Sequence, residues 1–360
     1  MKIKIVKLQE MVSKAIKGAG NNKLIPITGL IGIEVKDNKL SLICTDATNY
    51  IKVSEVVTDV EDFYVTVSAE LFSKLISKMT CEIVNIEISD NALIIKGNGE
   101  YKIDIQLDED GSIVKFRDKF NEYPLDIEND VYIKKETIDK VLNTNKAAIA
   151  VTMEIPCYTG YYFGKDIIST DAFKICATDI NVFKEPCLIS SQSMELLSVF
   201  DDEKISVYNL PNNVMVFTTP NIQVYTVQLD GIEDFAVDAI NGFIDTEFES
   251  MCKFDKQSMI NLLDRISLFI SPYDNNNITM TFTDDGILVK SKKSNGSELI
   301  KYTEKENYKP FECVLSVEML LSQIKAQPGD VVELWYGNDT AIKMTCEDIT
   351  QIVALSEKAD

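Results

Sequence analysis

Residues 67–76 read Val67-Ser68-Ala69-Glu70-Leu71-Phe72-Ser73-Lys74-Leu75-Ile76, a strand end running into a short amphipathic helix. The design returns at Ile189-Ser190-Ser191-Gln192-Ser193-Met194-Glu195-Leu196-Leu197. It returns again at Leu315-Ser316-Val317-Glu318-Met319-Leu320-Leu321-Ser322-Gln323-Ile324. Ser68, Ser190 and Ser316 lie 122 and 126 positions apart, each placed to cap a helix N-terminus. Such a period is the mark of an internally repeated architecture.

Each copy continues in the same way. Hairpins are expected at 84–96, 205–217 and 331–344, turning at Ser89-Asp90-Asn91, Pro211-Asn212-Asn213 and Gly337-Asn338-Asp339. A closing strand follows at 101–105, 224–229 and 350–355. A second helix opens each copy, led in by residues 5–8, 133–136 and 254–257, at spacings of 128 and 121. Each copy therefore reads β-α-β-β-β twice. The expectation is an α+β chain of three units, 1–124, 125–247 and 248–360, with the greasy faces of its helices laid on antiparallel sheets. In the first helix Leu8, Met11, Val12, Ala15 and Ile16 should face in. In the second, Leu71, Phe72, Leu75, Ile76 and Met79 should do so.

Composition narrows the function. The 360 residues hold 57 Asp and Glu against 36 Lys and Arg, a net charge of −21, and no histidine. Without His there is no Ser–His or Cys–His nucleophile pair and no His-ligated zinc. The eight cysteines form no CxxC pair and read as small buried hydrophobes with free thiols in a reducing compartment. No apolar run approaches the roughly 18 residues that span a bilayer, and the N-terminus lacks a signal-peptide core, so a cytoplasmic protein is expected. Asp46, Asp171 and Asp179 each follow a threonine at a strand end, which is turn chemistry. No cofactor, metal or catalytic residue is expected. An enzyme on a repeated scaffold is disfavoured by the lack of any paired-carboxylate or metal spacing.

A uniform −21 field repels phosphates, so a nucleic-acid role would need local patterning. The six expected helices, 7–17, 69–78, 134–146, 191–200, 256–270 and 317–325, hold twelve basic and seven acidic residues. They carry +5 and the remainder −26. Lysine is also a good helix former, which collects it on solvated helix faces without any ligand.

Three repeats, two helices in each, basic helices and an acidic remainder together resemble the bacterial DNA sliding clamp, the beta subunit of DNA polymerase III. Local matches are Leu24-Ile25-Pro26-Ile27-Thr28-Gly29-Leu30, then Asn38 to Asp46. Further ones are Ile168-Ser169-Thr170-Asp171-Ala172-Phe173-Lys174 and Val227-Gln228-Leu229-Asp230-Gly231. The resemblance covers nearly the whole chain. It implies a head-to-tail homodimeric ring of six similar domains, with helices lining a hole for duplex DNA and sheets forming the rim. Such a ring is a non-catalytic processivity factor that tethers a polymerase and meets its clamp loader through linear peptide motifs. An acidic protein–protein adaptor of the same fold that does not encircle DNA is the alternative.

The resemblance also assigns residues. DNA-facing candidates are Lys14, Lys17, Lys23, Lys74, Lys78, Lys140, Lys146, Arg265 and Lys325, point charges suited to loose, sequence-blind phosphate contact. The partner-peptide pocket would be lined by Tyr158, Thr170, Ala172, Phe173, Lys174, Ile175, Val237, Ser316, Met319, Ile352 and Leu355. Dimer candidates are Tyr101 and Ile103 with Leu268 and Phe269. Departures fall in the pocket. Ala172-Phe173-Lys174 stands where the family has Gly-His-Arg, and residues 232–237 lack the usual Pro and two Arg. The family's "MPMRL" ending is absent. These changes imply a divergent or phage-type member whose groove is more apolar and less cationic than in housekeeping clamps.

Overall fold

A computed structural model describes residues 1–58, 60–89, 91–117, 119, 131–270, 276–291 and 295–356. The elements follow the order read from the sequence. The helices are α1 (Ile5–Ala15), α2 (Ala69–Lys78), α3 (Lys135–Asn143), α4 (Ser191–Leu196), α5 (Val237–Ile244), α6 (Lys256–Ser267) and α7 (Val317–Ala326). Two helices and eight strands recur three times as β-α-β-β-β, twice per copy. Two additions stand outside that order among the described residues: α5 and the strand Glu304–Glu306. Neither belongs to the six-helix reading.

Helix starts are set by caps where the copies agree. Ser68 accepts from the Leu71 N–H and Ser316 from the Met319 N–H. Asp255, which the repeat alignment did not single out, does the same for α6 through the Ser258 N–H. Each satisfies one of the N–H groups that a helix leaves unpaired. Several helix bounds differ from those the apolar spacing suggests. In place of 7–17, α1 runs Ile5–Ala15 and tightens into a 3-10 turn at Ile16–Gly18. In place of 134–146, α3 runs Lys135–Asn143, followed by a 3-10 turn at Asn145–Ala148. In place of 191–200, α4 stops at Leu196 before a 3-10 turn at Leu197–Val199, and α6 stops at Ser267. Leu71, expected to face in, is 52% exposed.

Contacts divide the chain into two compact units. The first comprises 1–138 and 192–228 and the second 139–191 and 229–360. The first unit holds a four-stranded and an eight-stranded antiparallel sheet. In the smaller, the order is Lys2–Lys4, Ile83–Ser89, Ala92–Lys96, Glu100–Asp104. The larger joins two groups of four: Phe63–Ser68, Leu30–Lys36, Lys39–Thr45 and Tyr50–Val56 continue into Ile222–Val227, Val214–Thr218, Lys204–Leu210 and Tyr132–Lys134. The junction pairs Ile51 with Val224. Helices α1 and α2 contact each other, and α1 packs on the strands at 39–45 and 50–56.

The second unit repeats this plan. Cys187–Ser190, Gly160–Phe163, Ile167–Thr170 and Lys174–Thr178 continue into Ile349–Ala354, Ala341–Cys346, Val331–Tyr336 and Ser250–Asp255, with Glu304–Glu306 added at the edge. The junction pairs Ile175 with Ile352. Its four-stranded sheet runs Ser297–Lys301, Gly286–Ser291, Asn277–Phe282, Phe311–Ser316. The core under α6 and α7 gathers Leu263, Ile266, Leu320 and Ile324 over Phe254, Met280 and Leu334.

All eight cysteines are free, and six are buried. Burial pushes the Cys176 and Cys187 thiols up to about 12. No helix among the described residues is long and apolar enough to cross a membrane.

The packing predicts a contrast between neighbouring leucines. Leu263 is fully buried, whereas Leu268, just past the end of α6, is 80% exposed. Leu263→Ala should cost about 2–5 kcal/mol in urea unfolding. Leu268→Ala should stay within about 0.5 kcal/mol.

Candidate functional site

The threonine-aspartate pairs build the same turn twice. Thr45 donates its hydroxyl to Asn49 O at 2.6 Å and accepts from the Ala47 N–H at 2.9 Å. Thr170 donates to Lys174 O at 2.7 Å and accepts from the Ala172 N–H at 3.1 Å. Asp46 accepts from the N–H groups of Thr48 and Asn49, and Asp171 from those of Phe173 and Lys174. The central alanines hold φ of 84° and 76°, a region that side chains other than glycine seldom enter. At Asp46 and Asp171 the carboxylates hold the backbone in shape, as their sequence context suggested, whereas before Asp179 the Thr178 hydroxyl donates to Asn145 Oδ1 instead. No cluster of three or more metal-ligating side chains occurs among the described residues.

The second of these turns shapes the pocket candidates, all of which lie in the second unit. Phe173 is lifted clear of the sheet at 58% exposure, while its backbone O accepts the Ala354 N–H at 2.9 Å. Ala172 beside it is exposed. The Lys174 ammonium is committed, donating to Ala147 O at 2.7 Å and lying 3.3 Å from the Asp171 carboxylate. Tyr158, Ile175 and Ile352 are buried in one apolar cluster, with Val237 packed against it. Thr170 is buried. Met319 and Leu355 pack on a different cluster, the core under α6 and α7, and the Ser316 hydroxyl is occupied as the α7 cap. The candidates thus divide: Phe173 and Ala172 present surface, Tyr158, Ile175 and Ile352 form a floor, and Met319, Leu355 and Ser316 serve the neighbouring core and helix.

Phe235 is the residue that sequence reasoning missed here. It is buried, stacked on Tyr162 at 4.9 Å between ring centres and edge-on to Tyr158 at 5.4 Å. The signal was present: 232–237 departs from the family pattern at this point, and the only aromatic there is Phe235. Lys343 was missed as well. Its ammonium donates to Ile244 O and Thr246 O, each at 3.0 Å, closing the C-terminal turn of α5. Burial lowers its pKa.

The helix cations are engaged to different degrees. In the first unit Lys14 lies 3.2 Å from Glu10 and 2.5 Å from Asp201, and Lys74 pairs with Glu70. Lys17, exposed, reaches Ser198 Oγ at 3.4 Å. Lys23 and Lys78 are exposed, Lys23 on a loop where Asn22 and Thr28 exchange hydrogen bonds ahead of Pro26. In the second unit Lys140 pairs with Asp348, Arg265 with Glu298, and Lys325 lies 3.6 Å from Asp264. Lys146 is exposed. Five of the nine candidates therefore face a carboxylate of their own chain, which reduces the positive field that the count of helix charges implies.

Of the dimer candidates, Tyr101 and Ile103 sit on an open edge strand, whereas Leu268 and Phe269 follow α6. Glu100–Asp104 and Ser297–Lys301 each end a four-stranded sheet. Tyr101 is 38% exposed, but Ile103 is buried in its own sheet and presents no side chain outward. Leu268 and Phe269 are both exposed.

The family model for the DNA polymerase III beta subunit N-terminal domain matches residues 1–128. Solved structures extend the likeness to the whole chain. The beta subunit from Streptococcus pyogenes is 18% identical, with a TM-score of 0.86 over 99% of each chain. The beta chain from Streptococcus pneumoniae TIGR4 is 17% identical, with a TM-score of 0.85 over 99% of each. A sliding clamp from Pseudomonas aeruginosa, bound to griselimycin, is 13% identical with a TM-score of 0.81 over 99% of each. No curated protein sequence matches the chain. The chain thus has the α+β clamp fold of the DNA polymerase III beta subunits throughout its length.

The Lys14 cluster makes stability depend on acid. Hydrogen bonds from Lys14 hold the Glu10 and Asp201 carboxyls below the usual carboxylate range. A depressed folded pKa adds stability above the unfolded value and loses it as pH falls through the folded one. Urea midpoints should therefore fall from about pH 5 to pH 3, with a shallower slope in Lys14→Met.

Proposed function

On a chain with the fold of the DNA polymerase III beta subunits, we propose that the function is that of a sliding clamp. Two copies close head to tail, encircle duplex DNA without reading its sequence, and tether a polymerase that supplies the catalysis. The observation that carries this is the placement of the open strand edges. Each copy of the repeat supplies two four-stranded groups. Within the chain the third strand of a first group twice joins the last strand of a second group, at 50–56 with 222–227 and at 174–178 with 349–354. One group of each kind is left over. Their joining strands are Ser297–Lys301 in the third copy and Glu100–Asp104 in the first. Pairing these two between copies would repeat the pattern of both internal junctions and close the ring head to tail.

DNA is held by topology more than by affinity. With Lys14, Lys74, Lys140, Arg265 and Lys325 facing carboxylates, few cations are left for phosphate contact, and a sliding ring needs only weak ones. The same ion pairs favour the adaptor reading, in which the fold persists without DNA. One experiment separates the two. Protein loaded on a nicked circle should remain bound through gel filtration and be lost once the circle is cut. Leu268→Asp with Phe269→Asp should abolish retention and shift the sedimenting species to monomer. Equal retention on linear and circular DNA would falsify the clamp reading.

The groove in the second unit serves partners, with 1–124, 125–247 and 248–360 as the three clamp domains of the chain. Phe173, fixed through its backbone and exposed through its ring, is the anchor for an apolar residue of a linear motif. The buried Tyr158, Ile175 and Ile352 are its support. Titration with a motif rich in aliphatic and aromatic residues should weaken about tenfold in Phe173→His, and a standard acidic–aliphatic clamp motif should bind poorly to the wild type. Equal binding of both motifs, unchanged by the substitution, would show that the groove is not retuned.

A further inference from the structure

The outward face of the eight-stranded sheet carries a built cleft that neither ring closure nor the peptide groove uses. Alternation along the strands puts Gly32, Glu34 and Lys36 on that face, opposite Ile43, Ser41 and Lys39 of the next strand. Lys52 stands beside Ile43, and Tyr64 beside Glu34. The chain returns over this face at 113–117. Phe116 donates its backbone N–H to the Tyr64 hydroxyl at 3.1 Å, and Thr66 donates its hydroxyl to Val114 O at 2.7 Å. Gly32 suits this close seat, because a Cβ there would stand 3.1 Å from the Phe116 ring and 3.2 Å from the Tyr64 oxygen, tighter than ordinary contact. Between the returning segment and the strands lies a cavity of about 510 Å³.

Its lining is cationic on an acidic chain. Lys36, Lys39, Lys52, Lys115 and Arg117 stand against Glu34 and Asp37, a local net charge of +3 where the whole chain carries −21. Lys36 and Lys39 are directly opposed across the two-residue turn Asp37-Asn38, whose φ values are 51° and 60°. Like charges so opposed destabilise a hairpin unless an anion lies between them. Lys52 is 3.5 Å from Glu34, so one of the two acids is already shared. The apolar part of the lining is nearly covered, with Ile43 and Phe116 each 8% exposed. Carbon and polar atoms share the accessible lining about equally, so charge is what sets this cavity apart. That selects a compact, multiply charged anion over a hydrophobic peptide, and ammonium groups around a small cavity suit phosphate oxygens. The volume is that of an ordinary small-molecule site.

We propose that this cleft binds a phosphate-bearing anion of nucleotide size, held by Lys36, Lys39, Lys115 and Arg117. The site lies within one unit and does not depend on the ring.

Calorimetric titration of the full chain tests it, with tripolyphosphate and ATP as probes of the two phosphate sources and hexaglutamate as a carboxylate control. Submillimolar binding of tripolyphosphate, ATP or both is expected at low salt, weakening as ionic strength rises. Which of the two binds tighter assigns the source. Lys39→Glu with Lys115→Glu should weaken binding at least about tenfold, and the Gln pair at the same positions by less. Lys184→Glu, exposed and outside the cleft, should leave it unchanged. Thermal melts equal to wild type establish that the variants fold. No binding of either phosphate probe at millimolar concentration overturns the proposal. So does equal binding by the double variants, or hexaglutamate bound as tightly as tripolyphosphate.

Discussion

Every strand in this chain has two hydrogen-bonding edges, and the architecture is the solution to pairing them. Four strands make a group, and a group ends in an exposed row of N–H and C=O donors and acceptors. The chain resolves this internally at Tyr50–Val56 with Ile222–Val227 and at Lys174–Thr178 with Ile349–Ala354. Both junctions place apolar partners across from one another, Ile51 with Val224 and Ile175 with Ile352. The repeat period, the two large sheets and the division into two compact units all follow from where those edges meet. Contact density does not follow the repeat: the middle copy is shared between the units because its two halves belong to different sheets.

The acidic character of the chain shapes its helices as well as its surface. Within each unit the lysines of the helix faces find carboxylates, on the next turn for Lys74 with Glu70 and across 33 positions for Arg265 with Glu298. Exposed pairs of this kind add little to stability, commonly no more than about 1 kcal/mol. Their larger effect is on the field that a phosphate would meet. By contrast, the sheet face around Lys36 and Lys39 sets like charges directly opposite one another. A local concentration of positive charge therefore lies on strands, where a count taken over helices alone does not look.

How much of this was legible in the sequence depends on the range of the interaction. The repeat was legible because it is written in local chemistry. Ser68 and Ser316 cap the helices they precede, and Thr45 and Thr170 build matching turns from five consecutive residues. Turn residues at 212 and 213 take positive φ where Asn-Asn stands. What stayed hidden was set by partners far away in the chain. Lys14 meets Asp201 and Lys140 meets Asp348 across 187 and 208 positions, and no helix-face count anticipates that. Ile103 sits on an edge strand as expected, yet its side chain is buried. The pocket candidates came from resemblance, which transfers positions but not burial; Phe173 is exposed whereas Ile175, two residues on, is covered. The helix Val237–Ile244 escaped because the repeat pattern read from the sequence offers no second copy of it among the described residues.

The buried thiols have a consequence for how the molecule responds to its surroundings. Cysteine and histidine are the side chains that ordinarily change charge near neutrality. Here histidine is absent, and Cys176 and Cys187 sit at about 12. With no imidazole and with these two thiols held neutral, a small pH drift near neutrality changes few of the chain's charges. Ionic strength remains as the external variable that tunes it, since the screening length contracts from about 10 Å at 0.1 M to about 3 Å at 1 M. Near neutral pH, a change of salt therefore registers on its charged surfaces more than a small change of pH.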